Sequence, residues 1–304
     1  MTLFPIAIIT LFWKDNIGLS LTDILVLQAI FSGTSVLFEY PSGLLSDRMV
    51  YRSALMIACV LCIFGWSYYT IADSFGGVLL AEIILGMAWA FISGSDNALL
   101  YETLKAEKRD EQYTLYDGRM ASLAQTGEAA GAIFAGLMYA LWPLFPFVGQ
   151  IVVWVVALIL CWSLHEPEIG EQTVTKSHLA EAVKIWRYAF IENHKIRVTI
   201  VFGGFLGLAS FYTVWLIQPY MQETGVPVGW FGPAWAGANL MVALGAILSH
   251  RLKKRVSTTV LVIIFIGLAV SGYIGLSVVS YVWGFLFYFL LTLMRGLQGP
   301  IMRG

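Results

Sequence analysis

The charged residues of this chain divide it into ten apolar runs, most of them close to 20 residues long. They cover roughly residues 2–13, 22–46, 53–72, 76–102, 118–140, 145–164, 197–220, 230–250, 257–277 and 280–302. A helix of about 20 apolar residues is long enough to cross the hydrocarbon core of a bilayer. The pattern therefore predicts an all-α membrane protein with about ten spans, for which the lipid bilayer is the solvent.

Composition excludes several other classes of protein. Only 12% of the residues are charged, against about a quarter in soluble domains, so the chain lacks the polar surface of a water-soluble globule. A net charge of -1 gives no reason to expect a nucleic-acid partner. No nucleotide-binding loop, nucleophile–base set or metal-ligand cluster is recognisable, and Cys59 and Cys62 lack further ligands nearby. We therefore expect neither an enzyme nor a bound metal or cofactor.

The basic residues predict how the spans are oriented. When ten spans are threaded through a membrane, 17 of the 18 Lys and Arg residues fall on one side, and Lys14 alone falls opposite. The positive-inside rule makes the crowded side cytoplasmic, which for a bacterial protein means the inner membrane. The predicted organisation is a first bundle at 1–164, a cytoplasmic linker with an amphipathic surface helix at 165–196, and a second bundle at 197–304.

A short charged motif occurs twice, once in each predicted bundle. The sequence "SDRMVYR" ends the second run and "SHRLKKR" ends the eighth, with three identical residues at a constant separation of 203 positions. The matching pairs are Ser46 and Ser249, Arg48 and Arg251, and Arg52 and Arg255. Parallel repeats of this kind are the building plan of a large class of transporters.

The first copy carries a family resemblance. "GLLSDRMVYR" resembles the loop signature G-x-L-[AS]-D-R-x-G-R-[RK] of the major facilitator superfamily, with Gly43, Asp47, Arg48 and Arg52 in register and Val50 in place of a glycine. The resemblance implies a two-bundle fold of parallel six-helix repeats. On that plan the first span is partial and the last two are absent, so we expect the sequence to stop short of a complete architecture.

The fifth run carries a second, weaker resemblance. "GRMASLAQTGEAAGAIFAG" is similar to the antiporter motif of drug exporters in this superfamily, with Gly118, Gly127, Gly131 and Gly136 in register. One departure counts against proton-coupled drug export. The fourth run holds Glu82 where those exporters usually carry an arginine, four residues before a glycine.

The charged residues at the cytoplasmic ends of the helices are candidates for a gate. Arg and carboxylate groups at helix ends form bidentate, charge-assisted hydrogen bonds that could hold one conformation closed. The predicted gate comprises Gly43, Asp47, Arg48, Arg52, Glu102 and Arg119. The alternative is a simple positive-inside cluster.

Glu128 is the leading candidate for the transport pathway. It lies nine residues past Arg119, hence about 13 Å into a core about 30 Å thick. An ionisable residue at that depth could carry a coupling proton or face a cationic substrate, although a neutral structural role is also possible. Other pathway candidates offer amide and aromatic contacts: Gln125, Tyr212, Trp215, Gln218 and Asn239.

These features lead to one interpretation and two alternatives. The first is a monomeric secondary transporter that exports small organic solutes by alternating access, with protons as the coupling ion. The Glu82 departure keeps an uptake symporter open. A transporter-like sensor or scaffold that moves no solute is the third possibility.

Overall fold

The computed structural model describes residues 3–48, 50–164, 184 and 186–303. The chain divides into two compact units. The first unit comprises Met1–Ile169 and Pro227–Ala236, and the second comprises Gly170–Val226 and Gly237–Gly304. Every regular element in the described residues is a helix, which confirms the all-α prediction.

Among the residues that the structure describes, the first unit contains six α-helices and the start of a further one. After a 3-10 turn at Pro5–Ala7 come α1 (Ile9–Phe12), α2 (Leu21–Arg48), α3 (Tyr51–Tyr69), α4 (Phe75–Ala106), α5 (Tyr113–Leu141) and α6 (Phe145–Ser163). The second unit contains α7 (His194–Glu223), most of α8 (Phe231–Arg255), α9 (Thr258–Val278) and α10 (Tyr288–Arg303). Helices are expected here because a backbone inside a bilayer must satisfy its own hydrogen bonds.

Small residues bring α2, α3 and α4 together. Ala54 and Ala58 are fully buried against Phe91, and Gly86 lies against the backbone of Phe31 with no room for a side chain. The Ser42 hydroxyl donates a 2.9 Å hydrogen bond to the carbonyl oxygen of Ala90. Close approach of this kind maximises van der Waals contact, which drives helix association where lipid is as apolar as the side chains.

The N-terminal segment is more irregular than a continuous half-span. A 3-10 turn begins at Pro5, α1 follows, and the π-helical turn Trp13–Ile17 ends in Gly18, whose φ is 79°. The side chain of Gln150 on α6 accepts a 2.8 Å hydrogen bond from the backbone N–H of Leu3. This anchors the segment to the first unit.

The second unit has its own apolar core between α7, α9 and α10. Leu206, Phe265, Met294 and Leu297 are buried there and contact one another. The last predicted span, 280–302, is not uniform: its first part is the 3-10 helix Val282–Phe287, and α10 continues from Tyr288.

The predicted spans correspond closely to the helices. Seven of the described helices are long and apolar enough to cross a membrane by length and composition. The N-terminal segment, the more polar α5 and the segment Val282–Gln298 account for the other three predicted spans. The predicted surface helix within 165–196 lies largely outside the described residues. The part of this range that the structure describes includes the π-helical turn Tyr188–Glu192.

Candidate functional site

Glu128 lies in the middle of α5 and is half-buried. The indole N–H of Trp235, near the start of α8, donates a 3.1 Å hydrogen bond to the Oε1 atom of Glu128. Trp235 is itself buried, so this contact is held in place by the packing around the ring. An indole can only donate, and it therefore orients the carboxyl group without adding charge.

Glycines allow the start of α8 to reach α5. A Cβ atom on Gly136 would overlap the carbonyl oxygen of Val228, and one on Gly232 would overlap that of Ala132. Gly131 meets the N-terminal segment in the same way, since its Cβ would lie 2.8 Å from the carbonyl oxygen of Leu3. Two of the four glycines predicted from the antiporter-like motif thus lie at close backbone contacts.

The other two motif glycines have different surroundings. Gly118 is exposed and has open space where a side chain would be, while Gly127 is half-buried. Gln125, three residues before Glu128 on α5, is exposed. Glu128 and Gln125 lie on neighbouring turns of one helix, as their spacing predicts.

The pathway candidates of the second half lie on α7 and α8. Tyr212 is exposed, Trp215 and Asn239 are half-buried, and Gln218 is buried. The rings of Tyr212 and Trp215 both lie 6.2 Å from the ring of Phe211, at steep angles. Three aromatic side chains therefore form a patch on α7 in the second unit.

The predicted gate residues are placed unevenly. The side chains of Asp47 and Arg48 lie outside the described residues, and Gly43 is exposed near the end of α2. Arg52, at the start of α3, donates a 3.1 Å hydrogen bond to the carbonyl oxygen of Leu164, just after α6. A guanidinium at a helix C-terminus is stabilised by the helix dipole.

Glu102 and Arg119 have local partners. Glu102 pairs with Lys105 one turn away at 3.7 Å, and the Arg119 guanidinium lies 5.3 Å from the ring centroid of Tyr116. Arg109 lies over the same ring, at the same distance, and donates a hydrogen bond to its hydroxyl. The hydrogen bond to Glu107, followed by that to Tyr116, raises the pKa of Arg109 above its ordinary value.

Glu82 is the residue whose surroundings the sequence did not reveal. It is buried in α4, accepts a hydrogen bond from the Tyr69 hydroxyl, and accepts another from the Gln28 side chain at 3.3 Å. An acidic residue inside an apolar run is itself a signal of function, and from the sequence Glu82 is recognisable only as a departure from a motif. Its partners, 13 and 54 residues away, could not be predicted from spacing.

The described part of the chain contains no group of three His, Cys, Asp or Glu side chains that could hold a metal ion. Cys59 instead meets Cys161 of α6, with 3.9 Å between the sulfur atoms.

Comparison with known proteins decides the family. The family model of the Major Facilitator Superfamily matches residues 1–304. The chain belongs to this superfamily. That result confirms the family predicted from the loop signature, and a family of transporters agrees with the expectation that the chain is not an enzyme.

A curated relative and several solved structures are similar to the chain. The "Uncharacterized MFS-type transporter YxaM" of Bacillus subtilis (strain 168) is 24% identical over 260 residues, which cover 83% of this chain. The chain spans only 62% of the length of that relative.

The nucleoside transporter NupG, solved as a D323A mutant, has a TM-score of 0.80 at 11% identity, covering 98% of this chain and 76% of that one. A bacterial homolog of the human lysosomal transporter Spinster, in an inward-facing and unoccupied conformation, has a TM-score of 0.73 at 14% identity, covering 96% and 70%. These similarities confirm the predicted fold. The family and the seven long apolar helices together make the chain a multi-pass membrane protein.

Proposed function

We propose that this protein is a secondary transporter that exports small organic solutes by alternating access and couples export to protons. The observation that carries the proposal is the half-buried carboxyl group of Glu128, held by the Trp235 indole in the middle of a helix long enough to span a bilayer. A carboxyl group at that depth is costly to keep and is by default functional. Membership of a transporter family supports the general activity.

The side chains favour a cationic or amphipathic solute. Glu128 supplies a carboxyl oxygen that the indole N–H of the buried Trp235 holds in place. In the second unit, the patch of Phe211, Tyr212 and Trp215 offers aromatic surface on α7. Carboxylates and aromatic faces both attract organic cations, while Gln125, Gln218 and Asn239 could bind polar substituents.

Orientation and domain organisation form part of the proposal. The excess of Lys and Arg on one side supports a cytoplasmic location for the linker 165–196 and the basic loops, in a bacterial inner membrane. We take 1–164 and 197–304 as the two bundles of a monomer. The cluster of Asp47, Arg48 and Arg52 would then close the cytoplasmic side, with Glu102 and Arg119 at other cytoplasmic helix ends as its partners.

Uptake by proton symport is the second candidate. Glu82 replaces the arginine that drug exporters of the superfamily usually carry, which weakens the case for export. One of the similar structures is named a nucleoside transporter, but at 11% identity that likeness supports the fold alone. A sensor or scaffold remains the alternative without transport.

A pH-gradient experiment tests these alternatives. The protein is reconstituted into liposomes, and ethidium, a cationic aromatic dye, serves as the probe. We expect the dye to move against its concentration gradient when a proton gradient is imposed in the absence of ATP. The direction of movement relative to the proton gradient distinguishes antiport from symport.

Two variants connect the activity to the site. Glu128→Gln should abolish accumulation of the dye, because the amide cannot carry charge or exchange a proton in this range of pH. Glu111→Gln removes an exposed acid from the short 3-10 helix Asp110–Gln112, which lies between α4 and α5, and should leave transport unchanged. Undiminished accumulation by Glu128→Gln would exclude this carboxyl group from the pathway. The absence of any solute movement in the parent protein would favour the sensor or scaffold.

A further inference from the structure

A second carboxyl group lies inside the first unit, in different surroundings from those of Glu128. Glu82 on α4 meets Gln28 on α2 and Tyr69 at the end of α3. The Tyr69 ring stacks on Trp13 of the N-terminal segment, with ring centroids 6.3 Å apart. Four separate segments of the chain thus contribute to one cluster, in which Gln28 and Tyr69 contact the acid and Trp13 packs on Tyr69.

The cluster is sealed within the unit. Glu82 is 4% exposed, Gln28 is 3% exposed, and Tyr69 and Trp13 are fully buried. The Tyr69 ring is also stacked against Trp66 and Phe147, so aromatic side chains surround the phenol. A carboxyl group in such surroundings cannot rely on water to stabilise its charge.

The groups that face Glu82 are neutral. From α2 it meets the Gln28 amide, and from α3 the Tyr69 phenol, which is the titratable group at hydrogen-bonding distance. Among the described residues no Lys, Arg or His side chain forms an ion pair with it. A structural ion pair therefore does not explain the acid, since buried charges retained for structure are normally paired.

The two partners can satisfy the carboxyl group in both of its protonation states. As a carboxylate, Glu82 accepts one hydrogen bond from the Tyr69 hydroxyl and one from the Gln28 N–H group. After protonation the acid must donate, and half a turn of the Gln28 amide would present its Oε1 atom as the acceptor. The Tyr69 hydroxyl can keep donating throughout, so both carboxyl oxygens of Glu82 have a hydrogen-bond partner in either state.

The position of the cluster along α4 also fits exchange with water from one side. Glu82 is seven residues after Phe75, the first residue of α4, which places it about 10 Å from that end of the helix. The turn that precedes α4 is largely exposed. A small local opening at this end would therefore expose the acid.

From this geometry we infer that Glu82 binds and releases the coupling proton, with Tyr69 and Gln28 as its positioning residues. In this step an O–H bond forms at a carboxyl oxygen of Glu82 while a hydronium ion becomes water, and release is the reverse. The inference rests on the proposed proton coupling and refines it, because it leaves Glu128 to bind the solute.

Infrared titration of the reconstituted protein tests the site without any substrate. A protonated carboxyl group has a C=O stretching band that is separate from that of a carboxylate. We expect such a band to appear as the bulk pH is lowered, to be lost in Glu82→Gln, and to persist in Glu128→Gln and Glu111→Gln. Persistence of every titrating band in Glu82→Gln would overturn the assignment.

Tyr69→Phe provides a second measurement that keeps Glu82 itself. Loss of the phenol hydrogen bond should shift the frequency of the Glu82 band, because the stretching frequency depends on hydrogen bonding. An unshifted band would contradict the proposed partner. This variant decides the question even if Glu82→Gln is poorly folded.

Transport distinguishes failure of this inference from failure of the proposed function. In liposomes, Glu82→Gln should lose ethidium movement driven by a pH gradient while retaining exchange of ethidium without a gradient. If the parent is driven by protons and Glu82→Gln is driven equally well, the assignment to Glu82 is wrong. If the parent shows no proton-driven movement, the proposed coupling fails, and the infrared band still reports whether Glu82 titrates.

Discussion

The two units place different chemistry inside their helices. In the first unit, α4 and α5 bury acidic residues, Glu82 fully and Glu128 in part. No acidic residue follows Glu223 in the sequence, and the buried polar side chains in the described part of the second unit are hydroxyls and one amide. Among them, Thr213 donates to the Tyr273 hydroxyl, which donates to the backbone carbonyl of Ala209.

This contrast indicates that the two units contribute different chemistry. The acidic side chains buried within helices lie in the first unit, where protons or cationic solutes could act on them. The second can contribute shape, aromatic contact and neutral hydrogen bonds. If this difference holds, a packing defect should lower the free energy of unfolding by a similar amount in either unit. Loss of a buried acid is a change that only the first unit can show.

The largest effect should come from closing the space left by glycines at helix contacts. Gly232→Ala forces a methyl group into the carbonyl oxygen of Ala132, and Gly245→Ala places one 2.5 Å from that of Leu293. Each should lower the free energy of unfolding in mixed detergent micelles by about 3 kcal/mol, because two backbones must separate.

The matched controls are glycines with open space around them. Gly229→Ala and Gly267→Ala have no atom within 4 Å of the added methyl group and should leave the free energy of unfolding almost unchanged. A large loss from Gly232→Ala with none from Gly245→Ala would show that the units are packed differently as well.

Replacement of the buried acid by a hydrocarbon should come next. Glu82→Leu leaves the Tyr69 hydroxyl and the Gln28 amide without their acceptor in a dry site, which should cost about 2 kcal/mol. Glu82→Gln, in contrast, keeps an acceptor and should cost less than about 1 kcal/mol. Equal losses in the two variants, measured in the same micelles, would contradict the hydrogen-bonding role of the cluster.

A neutral network in the second unit should contribute less. Tyr273→Phe removes the hydrogen bonds that join α9 to α7, and such bonds between membrane helices contribute about 0.6 kcal/mol on average. Tyr281→Phe, at an exposed tyrosine, is the control. A cost above that of Glu82→Leu would reverse the proposed contrast between the units.

The smallest effect should come from a helix cap. The Ser257 hydroxyl accepts from the backbone N–H of Val260 at the start of α9, whereas Ser74 before α4 makes no such bond. Ser257→Ala should therefore cost about 0.5 kcal/mol and Ser74→Ala should cost nothing measurable. Comparison of the two thermal unfolding midpoints checks this, and equal shifts would contradict it.

Much of the fold was predictable because membrane helices are encoded locally. Each apolar run had to become a helix, since lipid offers its backbone no hydrogen bonds. Predictions were less accurate near the termini of the chain. Pro5 and the π-helical turn at Trp13–Ile17 interrupt the first run, and the 3-10 helix Val282–Phe287 begins the last.

The candidate site was predictable only in part. Sequence identified Glu128, because an acid deep in an apolar run is rare and costly. Its contact with Trp235 joins positions 107 residues apart, and no local pattern predicts it. The roles of Asp47 and Arg48 stay predictions, since their side chains lie outside the described residues.

By itself, the sequence determined the helical class, the approximate positions of the apolar helices, the superfamily and the uneven distribution of acids between the halves, because hydropathy, charge and short motifs can be read along the chain. Only the tertiary structure decided that Glu82 is enclosed by neutral partners while Glu128 is half-buried beside an indole. The physical reason is that the surroundings of an acid depend on which helices pack against it, and packing joins residues that are distant in sequence.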